Sequence, residues 1–149
     1  MPVVYPITLT PTPPMSTSHK LFVNIRVNDL QKSMAFFAAL GFTFNTQFTD
    51  DNAACLVVSD DAYFMLLTDG FFRGFTTKTP SDPTVVTEAM YAVSCDSRTD
   101  VDAMFRAAID AGGSKAMPPQ DHGFMYSQSF YDLDGHHWEV LWMDPATIQ

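Results

Sequence analysis

The alternation of hydrophobic and polar residues along the chain predicts two successive βαβββ units. In the first unit, residues 21–27 are rich in β-branched and aromatic side chains, which is typical of a strand. Asn28 and Asp29 can cap a helix that Gly41 ends. The predicted apolar face of this helix is Leu30, Met34, Phe37 and Ala38. Turn residues then separate three more predicted strands, at residues 42–49, 53–58 and 62–68.

The same order of elements recurs after a proline-containing linker, residues 70–86. Residues 87–95 are a predicted strand, and Ser97 or Thr99 can open a helix that Gly112 and Gly113 end. The apolar face of this second helix is Val101, Phe105, Ala108 and Ile109. The last three predicted strands are residues 115–117, 124–131 and 137–143. Either residues 125, 127 and 129 or residues 126, 128 and 130 face inward on the middle one of these strands.

Each unit can bury one face of its sheet under its helix and curl the other face around a cavity. The cupped faces then close on each other within the chain or on a partner chain. The sequence therefore predicts an α+β fold in which tandem βαβββ repeats form a cupped, barrel-like sheet. The predicted domain spans residues 20–145, with repeat one at 20–69 and repeat two at 87–144. Residues 1–19 form a predicted disordered, proline-rich tail, and Met15 is an alternative start.

Composition narrows the classes of partner. The net charge of −9 disfavours nucleic acids and anionic membranes as partners, since proteins bind both through clusters of Lys and Arg. Paired aspartates at predicted turns, among them Asp132 with Asp134, are interpreted as solvated loop charge rather than as a metal site. Cys55 and Cys95 lack the CxxC spacing of zinc sites, which favours free thiols in a reducing, cytoplasmic compartment.

Two separated motifs carry a family resemblance. The stretch from Phe22 to Phe42, with its N-D-L-Q-K-S-M core, resembles the opening of glyoxalase and bleomycin-resistance proteins. The D-x-D-G-x-x-x-E sequence from Asp132 to Glu139 resembles their closing strand. The chain is thus similar to the vicinal oxygen chelate superfamily, which includes lactoylglutathione lyases, extradiol dioxygenases, epimerases and drug-binding resistance proteins. The resemblance extends over residues 20–144.

In the metalloenzymes of that family, the first and last strands of each repeat supply one ligand each to a divalent metal. Carried over by position, the resemblance places these four sites at Phe22, Met65, Met90 and Glu139. Phenylalanine has no donor atom, thioether sulfur suits soft ions, and one carboxylate alone does not hold zinc, nickel or iron. We therefore expect no metal cofactor at the usual family site.

Strand alternation places a larger set of side chains on the same face as these four positions. The predicted ligand-binding residues are Phe22, Asn24, Arg26, Tyr63, Met65, Met90, His137 and Glu139. His136 falls on the opposite face. The predicted cavity is mainly apolar and rich in sulfur, with a few polar groups, which is typical of a site for an organic ligand.

Glu139 is the candidate catalytic residue, with three alternatives for its role. It acts as a general acid or base if burial raises its pKa, as a metal ligand without companions, or as a hydrogen-bonded group that orients a ligand. Arg26 either anchors an acidic ligand, as the resemblance to glutathione-dependent glyoxalases implies, or neutralises Glu139, or lies solvated at the rim. Phe71, Phe72 and Phe75 are expected at a dimer interface or over the cavity. Asp121, His122 and Gly123 form a predicted turn.

Together these observations predict a protein that binds a small organic molecule, as a binder or as a metal-independent isomerase or lyase. It is expected to form a homodimer and to have neither nucleic acid nor membrane as a partner. The alternative is a lactoylglutathione-lyase-like or dioxygenase-like metalloenzyme, which the resemblance favours and which Phe22, Met65 and Met90 oppose.

Overall fold

Two sheets of the same strand order form the core of the protein, as a computed structural model shows for residues 18–147. The first sheet contains β1 (Leu21–Val27), β2 (Thr43–Asn45), β3 (Ala53–Val57) and β4 (Ala62–Thr68), in the order β1-β4-β3-β2. Helix α1 (Leu30–Ala39) connects β1 to β2, and the short helix α2 (Asp69–Arg73) follows β4. The α+β class and the tandem repeat are confirmed.

The second sheet repeats this plan. It contains β5 (Met90–Ser94), β6 (Ser114–Lys115), β7 (Gln120–Asp121), β8 (Met125–Tyr131) and β9 (His137–Met143). The order is β5-β9-β8-β6, with β7 also paired to β8, and helix α3 (Arg98–Asp110) connects β5 to β6. In both sheets the first and last strands of the repeat run parallel and adjacent. Side chains at paired positions of these two strands therefore lie next to each other on the same face of the sheet.

Both long helices begin and end where capping chemistry predicts. The Asp29 carboxylate accepts a hydrogen bond from the Lys32 N–H at 3.0 Å, and the Ser97 hydroxyl accepts one from the Asp100 N–H at 3.1 Å. Gly41 and Gly112 follow the helices with φ of 100° and 108°, a left-handed conformation that glycine adopts without steric cost.

The two sheets pack together through their helix-bearing faces. The Trp138 ring is fully buried, and its centroid lies 4.6 Å from that of Phe64 in the first sheet and 5.1 Å from that of Phe37 in α1. Tyr91 also contacts both Phe64 and Trp138. Because the shared core lies between the helix-bearing faces, the other face of each sheet, here called its open face, points away from that core. The predicted barrel is therefore not closed within one chain.

Several predicted elements need correction. The strand predicted at 42–49 ends at Asn45, because the Asn45 side chain accepts the Gln47 N–H and a single turn of 3-10 helix follows. The strand predicted at 87–95 is β5 alone, the one predicted at 115–117 ends at Lys115, and β7 was not predicted. The linker begins with α2, which an Asp69–Arg73 ion pair at 3.0 Å spans.

The predicted face of α1 is only partly right. Leu30 and Phe37 are buried, but Ala38 is exposed, and Ser33 and Phe36 are buried instead. Phe36 turns inward because its ring packs on Phe130 of the second sheet at 6.2 Å. The predicted tail lies outside the described residues except for its last two positions. Within residues 18–147, no helix has the length and apolar character needed to cross a membrane.

Candidate functional site

The open face of the first sheet carries apolar and aromatic side chains. Phe22 lies opposite Tyr63 in the register of β1 and β4, and their rings stack at 5.0 Å with an interplanar angle of 13°. Met65 pairs with Asn24 on one side and with the buried Cys55 on the other. Phe22 keeps 51% of its surface exposed. This face therefore offers an apolar, sulfur-containing surface without a carboxylate in its central strands.

The open face of the second sheet has a different character. Met90 pairs with His137, and Glu139 lies between Ala92 on β5 and Ser129 on β8. Met90, His137 and Glu139 line one cavity of about 170 Å³, here called the Glu139 cavity. The other lining residues are Met117, Pro118, Gln120, Ser127, Gln128 and Ser129. Residues 125, 127 and 129 share the open face of β8, because Ser127 and Ser129 pair with Leu141 and Glu139.

One wall of the Glu139 cavity is the loop from Ala116 to Phe124. The Met117 N–H donates to the Ser129 hydroxyl at 2.9 Å, and β7 pairs with β8. Arg98 holds this loop from the other side of the sheet by donating to both oxygens of Asp121, at 2.8 and 2.9 Å. Its guanidinium also lies 5.1 Å and 5.2 Å from the ring centroids of Tyr126 and Trp142, at cation–π distance.

The ion pair between Arg98 and Asp121 also changes the pKa of the aspartate. The Arg98 guanidinium holds the pKa of the Asp121 carboxyl well below its usual range, helped by the Gly123 N–H. Gly123 has a φ of 79°, so the predicted turn at residues 121–123 is confirmed. His122 packs beside Phe124 and does not line the Glu139 cavity.

Glu139 itself is half-buried. Within residues 18–147, no group donates a hydrogen bond to its carboxylate and no cationic side chain lies within 4.0 Å, so its oxygens are left accessible to solvent. Arg26 instead donates to the Asp69 carboxylate at 2.7 Å and to the Ser81 carbonyl at 2.9 Å. Hydrogen bonds from Arg26 and Arg73 lower the pKa of Asp69. The interpretation in which Arg26 neutralises Glu139 is therefore wrong within a single chain.

A second cavity, of about 120 Å³, lies beneath the linker. Asn24, Arg26, Phe72 and Tyr91 line it, and His137 lines both cavities. Burial raises the pKa of the Tyr91 hydroxyl, with added contributions from Asp132 and Glu88. Phe72 thus lines the linker cavity and not the Glu139 cavity, whereas Phe71 and Phe75 are exposed, with their ring centroids 5.1 Å apart. A dimer interface at this cluster stays a prediction.

The eight predicted ligand-binding residues therefore fall into three places. Met90, His137 and Glu139 come together, Asn24 and Arg26 line the linker cavity, and Phe22, Tyr63 and Met65 lie on the first sheet. The donor set at the four family metal positions does not fit a divalent ion. It offers a ring without donors, two thioethers and one carboxylate, which is too few hard or borderline donors for zinc, nickel or iron.

The one cluster of three or more potential metal ligands in residues 18–147 is Asp132, Asp134 and His136, whose ligand atoms lie within 4.8 Å of one another. Asp132 accepts hydrogen bonds from the N–H groups of Asp134 and His136, at 2.9 and 3.0 Å, and from the Trp138 indole at 2.9 Å. Burial raises the pKa of Asp132, and His136 and these hydrogen bonds oppose the rise. The first member of the cluster thus already has three donors.

The other two members join the two repeats. Asp134 accepts the Asn28 N–H at 2.8 Å, and the His136 ring donates from Nε2 to the Arg26 carbonyl at 2.7 Å. The prediction that Asp132 and Asp134 are solvated loop charge is wrong, because each is only 6% exposed and hydrogen-bonded. The D-x-D-G motif was visible in the sequence, but its partners Asn28 and Arg26 lie more than a hundred residues away.

Comparisons with other proteins agree with the repeat. The family model described as Glyoxalase/Bleomycin resistance protein/Dioxygenase superfamily matches residues 21–140. The hypothetical protein SA1046 from S. aureus is 28% identical, with a TM-score of 0.70, over 86% of this chain and 95% of that chain. None of the curated proteins matches the sequence.

Two more distant structures share the fold. A glyoxalase/bleomycin resistance protein/dioxygenase family enzyme from Burkholderia phytofirmans PsJN is 16% identical, with a TM-score of 0.68, over 82% of this chain and 96% of that chain. The fosfomycin resistance protein FosX from Mesorhizobium loti is 17% identical, with a TM-score of 0.58, over 88% of this chain and 94% of that chain. At these identities the likeness concerns the fold alone.

Proposed function

Because the chain belongs to the glyoxalase/bleomycin resistance protein/dioxygenase superfamily, we propose that it binds a small organic molecule in the Glu139 cavity, without the divalent metal of its metalloenzyme relatives. The observation that carries this proposal is that Met90, His137 and Glu139 meet in one cavity. There the carboxylate has no hydrogen-bond or ion-pair partner among the described residues. Because no buried side-chain oxygen lacks a partner, the Glu139 carboxylate oxygens face solvent, and a ligand group that donates to them can replace that water.

The chemistry of the lining supports an organic ligand. Met90, Met117 and Pro118 supply apolar surface, while Ser127, Ser129 and Gln120 supply a few hydrogen-bonding groups. Small-molecule sites commonly combine a mainly apolar wall with a few convergent polar groups. A volume of about 170 Å³ compares with engineered apolar cavities of about 150 Å³ that hold benzene. A ring-sized group therefore fits this cavity in one chain.

A metal-independent isomerase or lyase is the second candidate. His137 and Glu139 lie two residues apart on the same face of β9, so a bound molecule can meet two titratable groups at once. Exchange of solvent deuterium into a bound ligand, detected by NMR, tests this candidate. The exchange must disappear in Glu139→Gln for Glu139 to act as the base.

The assembly that we propose is a homodimer in which the open face of the first sheet covers the open face of the second sheet of a partner. Phe22 and Met90, 51% and 65% exposed, lie on these two faces. Phe22 stacks on Tyr63 and so extends the apolar surface of its face, and contiguous apolar patches of this kind are typical of interaction sites. A twofold arrangement uses both faces of each copy, so it closes without leaving one of them free.

Light scattering of Phe22→Lys and Met90→Lys tests the dimer. We expect both variants to be monomeric at concentrations where the native protein is dimeric. Leu133→Lys is the matched control, because this exposed side chain lies beside Gly112 at the end of α3, away from both open faces. A dimer that survives both substitutions, or that only the control disrupts, contradicts the proposed interface.

We also propose a reducing, cytoplasmic location. Cys55 and Cys95 are free thiols, and burial raises the pKa of both, which keeps them as thiols rather than thiolates.

A thermal-shift screen with small organic molecules tests the binding function. A ligand at about 100 times its dissociation constant adds about 2.7 kcal/mol to the free energy of unfolding. We expect such ligands to stabilise the native protein and the Glu88→Gln variant but not Glu139→Gln. Glu88 is the only other glutamate in the sequence and lies outside the Glu139 cavity, so its replacement changes the net charge equally. Ligands that stabilise all three proteins alike contradict the proposed site.

A further inference from the structure

Resting on the binding function above, we propose that the ligand of the Glu139 cavity is an organic cation, an amine whose ammonium group contacts Glu139 and whose apolar body packs on Met90 and Met117. The lining of the Glu139 cavity holds one carboxylate and no Lys or Arg. A ligand that brings a positive charge complements this solvent-accessible carboxylate with a charge-assisted hydrogen bond.

The neighbouring groups do not supply that charge. Arg26 is committed to Asp69 and the Ser81 carbonyl, and Arg98 to Asp121 and the Gly123 carbonyl. Ser129, beside Glu139 in the register, accepts the Met117 N–H, and its neutral hydroxyl brings no charge to the cavity. His137 is the one other titratable side chain that lines this cavity. The cavity therefore offers a charged acceptor to a donor and no Lys or Arg to an acid.

The whole molecule favours the same sign of ligand. Its net charge of −9 raises the local concentration of cations and repels anions. A carboxylate ligand in this cavity would face Glu139 without a compensating Lys or Arg, and like charges at close range are costly. A hydrogen-bonding neutral ligand gains only part of what an ammonium group gains, because charge-assisted hydrogen bonds are roughly twice as strong as neutral ones.

The apolar wall specifies the rest of the ligand. Met90 and Met117 are flexible thioethers, which pack well on methylene groups and make favourable contacts with aromatic ring edges. Pro118 adds a rigid apolar surface beside them. Arylalkylamines combine an ammonium group and a ring in a molecule of suitable size. They are therefore the chemical class that this cavity fits.

Three probes of nearly the same shape isolate the contribution of charge: 2-phenylethylamine, 2-phenylethanol and phenylacetate. Binding to the full-length protein is followed by NMR titration, which reports both the dissociation constant and the residues that shift. We expect the amine to bind at least tenfold more tightly than the alcohol, and phenylacetate to bind most weakly. The shifted amides are expected in β8, β9 and the Ala116–Phe124 loop.

Variants assign that preference to Glu139. In Glu139→Gln we expect the amine and the alcohol to bind within about twofold of each other, while Glu88→Gln keeps the tenfold preference. A native far-UV circular dichroism spectrum and a single cooperative thermal transition verify that both variants are folded.

Failure of the inference is distinguishable from failure of the binding function. If the alcohol or phenylacetate binds in the Glu139 cavity as tightly as the amine, the cavity is a binding site but the cation assignment is wrong. An amine preference that persists in Glu139→Gln also overturns the assignment. If none of the probes saturates while the thermal-shift screen finds neutral or anionic ligands that depend on Glu139, the inference fails and the binding function stands.

Discussion

The open faces of the two sheets have the same backbone plan and opposite chemistry. Met65 and Glu139 occupy corresponding positions on the last strand of each repeat, and their neighbours Cys55 and Ser129 also correspond. Tyr63 and His137 form a third such pair. The sulfur atoms of Met65 and Cys55 on the first sheet are thus replaced by the oxygens of Glu139 and Ser129 on the second, and the Tyr63 phenol by the His137 imidazole. The fold determines where a site lies, and the side chains of one repeat determine what it binds.

The largest expected effect comes from the core that the two sheets share. Trp138→Ala removes a fully buried ring that contacts both sheets, so we expect a loss of about 3–5 kcal/mol in the free energy of unfolding. Urea unfolding followed by circular dichroism measures it. Trp142→Ala, at a half-buried position of the same strand, is the control and should cost less. Equal losses would contradict the central role of Trp138.

The reciprocal exchange of Met65 and Glu139 tests the comparison directly. Met65→Glu places a carboxylate beside the buried Cys55, so we expect it to destabilise the fold by about 1–3 kcal/mol. Glu139→Met removes an unpartnered carboxylate and should stabilise the fold by ~1 kcal/mol, as substitutions at binding sites often do. Chemical unfolding of both variants provides the values. If Glu139→Met destabilises the fold as much as Met65→Glu does, the proposed difference between the two open faces is contradicted.

The junction between the repeats should show a smaller effect. Asp134→Ala leaves the Asn28 N–H to water instead of its carboxylate partner, so we expect a loss of about 0.5–1.5 kcal/mol in the free energy of unfolding. Asp60→Ala is the control, since this aspartate lies at the corresponding turn of the first repeat and is exposed. Hydrogen exchange at the Asn28 amide should accelerate only in Asp134→Ala. Unaltered protection of that amide would show that the hydrogen bond does not join the repeats.

The smallest effect concerns pH. Arg98 lowers the pKa of Asp121, so the stability from this pair is fully present above the ordinary aspartate pKa of about 3.9 and is lost as the pH falls through the lower folded value. Asp121→Asn should therefore be slightly less stable than the native protein at pH 7 and equal to it in strong acid. Asp69→Asn should behave likewise, since Arg26 and Arg73 lower the pKa of Asp69. A difference that persists in strong acid would contradict a charge-based origin.

Strand alternation and capping residues were enough to predict much of the fold. The bounds of β1, β4 and β9 are confirmed at both ends, as are the caps at Asp29 and Ser97. The shortened β2 was not predicted, because it depends on the local hydrogen bond of Asn45. The back-to-back packing of the sheets was also beyond prediction, because it depends on contacts such as Phe64 with Trp138 between distant segments.

The candidate site was predictable where it depends on strand alternation, and not where it depends on contacts between distant segments. Alternation and the family resemblance placed Met90, His137 and Glu139 on one face, and the structure brings them into one cavity. The partner of Arg26 could not be read from spacing, since Asp69 belongs to a helix that was not predicted. The wall from Ala116 to Phe124 was missed because Arg98 holds it across 23 residues of sequence.

The metal content of the untagged full-length protein, purified without chelator, tests the central claim most directly. Elemental analysis of the native protein and Glu139→Gln measures nickel, zinc, iron and manganese per chain. We predict far less than one metal ion per chain in both proteins, with the same amine preference in the native protein before and after dialysis against a chelator. Near-stoichiometric metal that Glu139→Gln loses would show that Glu139 is a metal ligand, and the account would be contradicted.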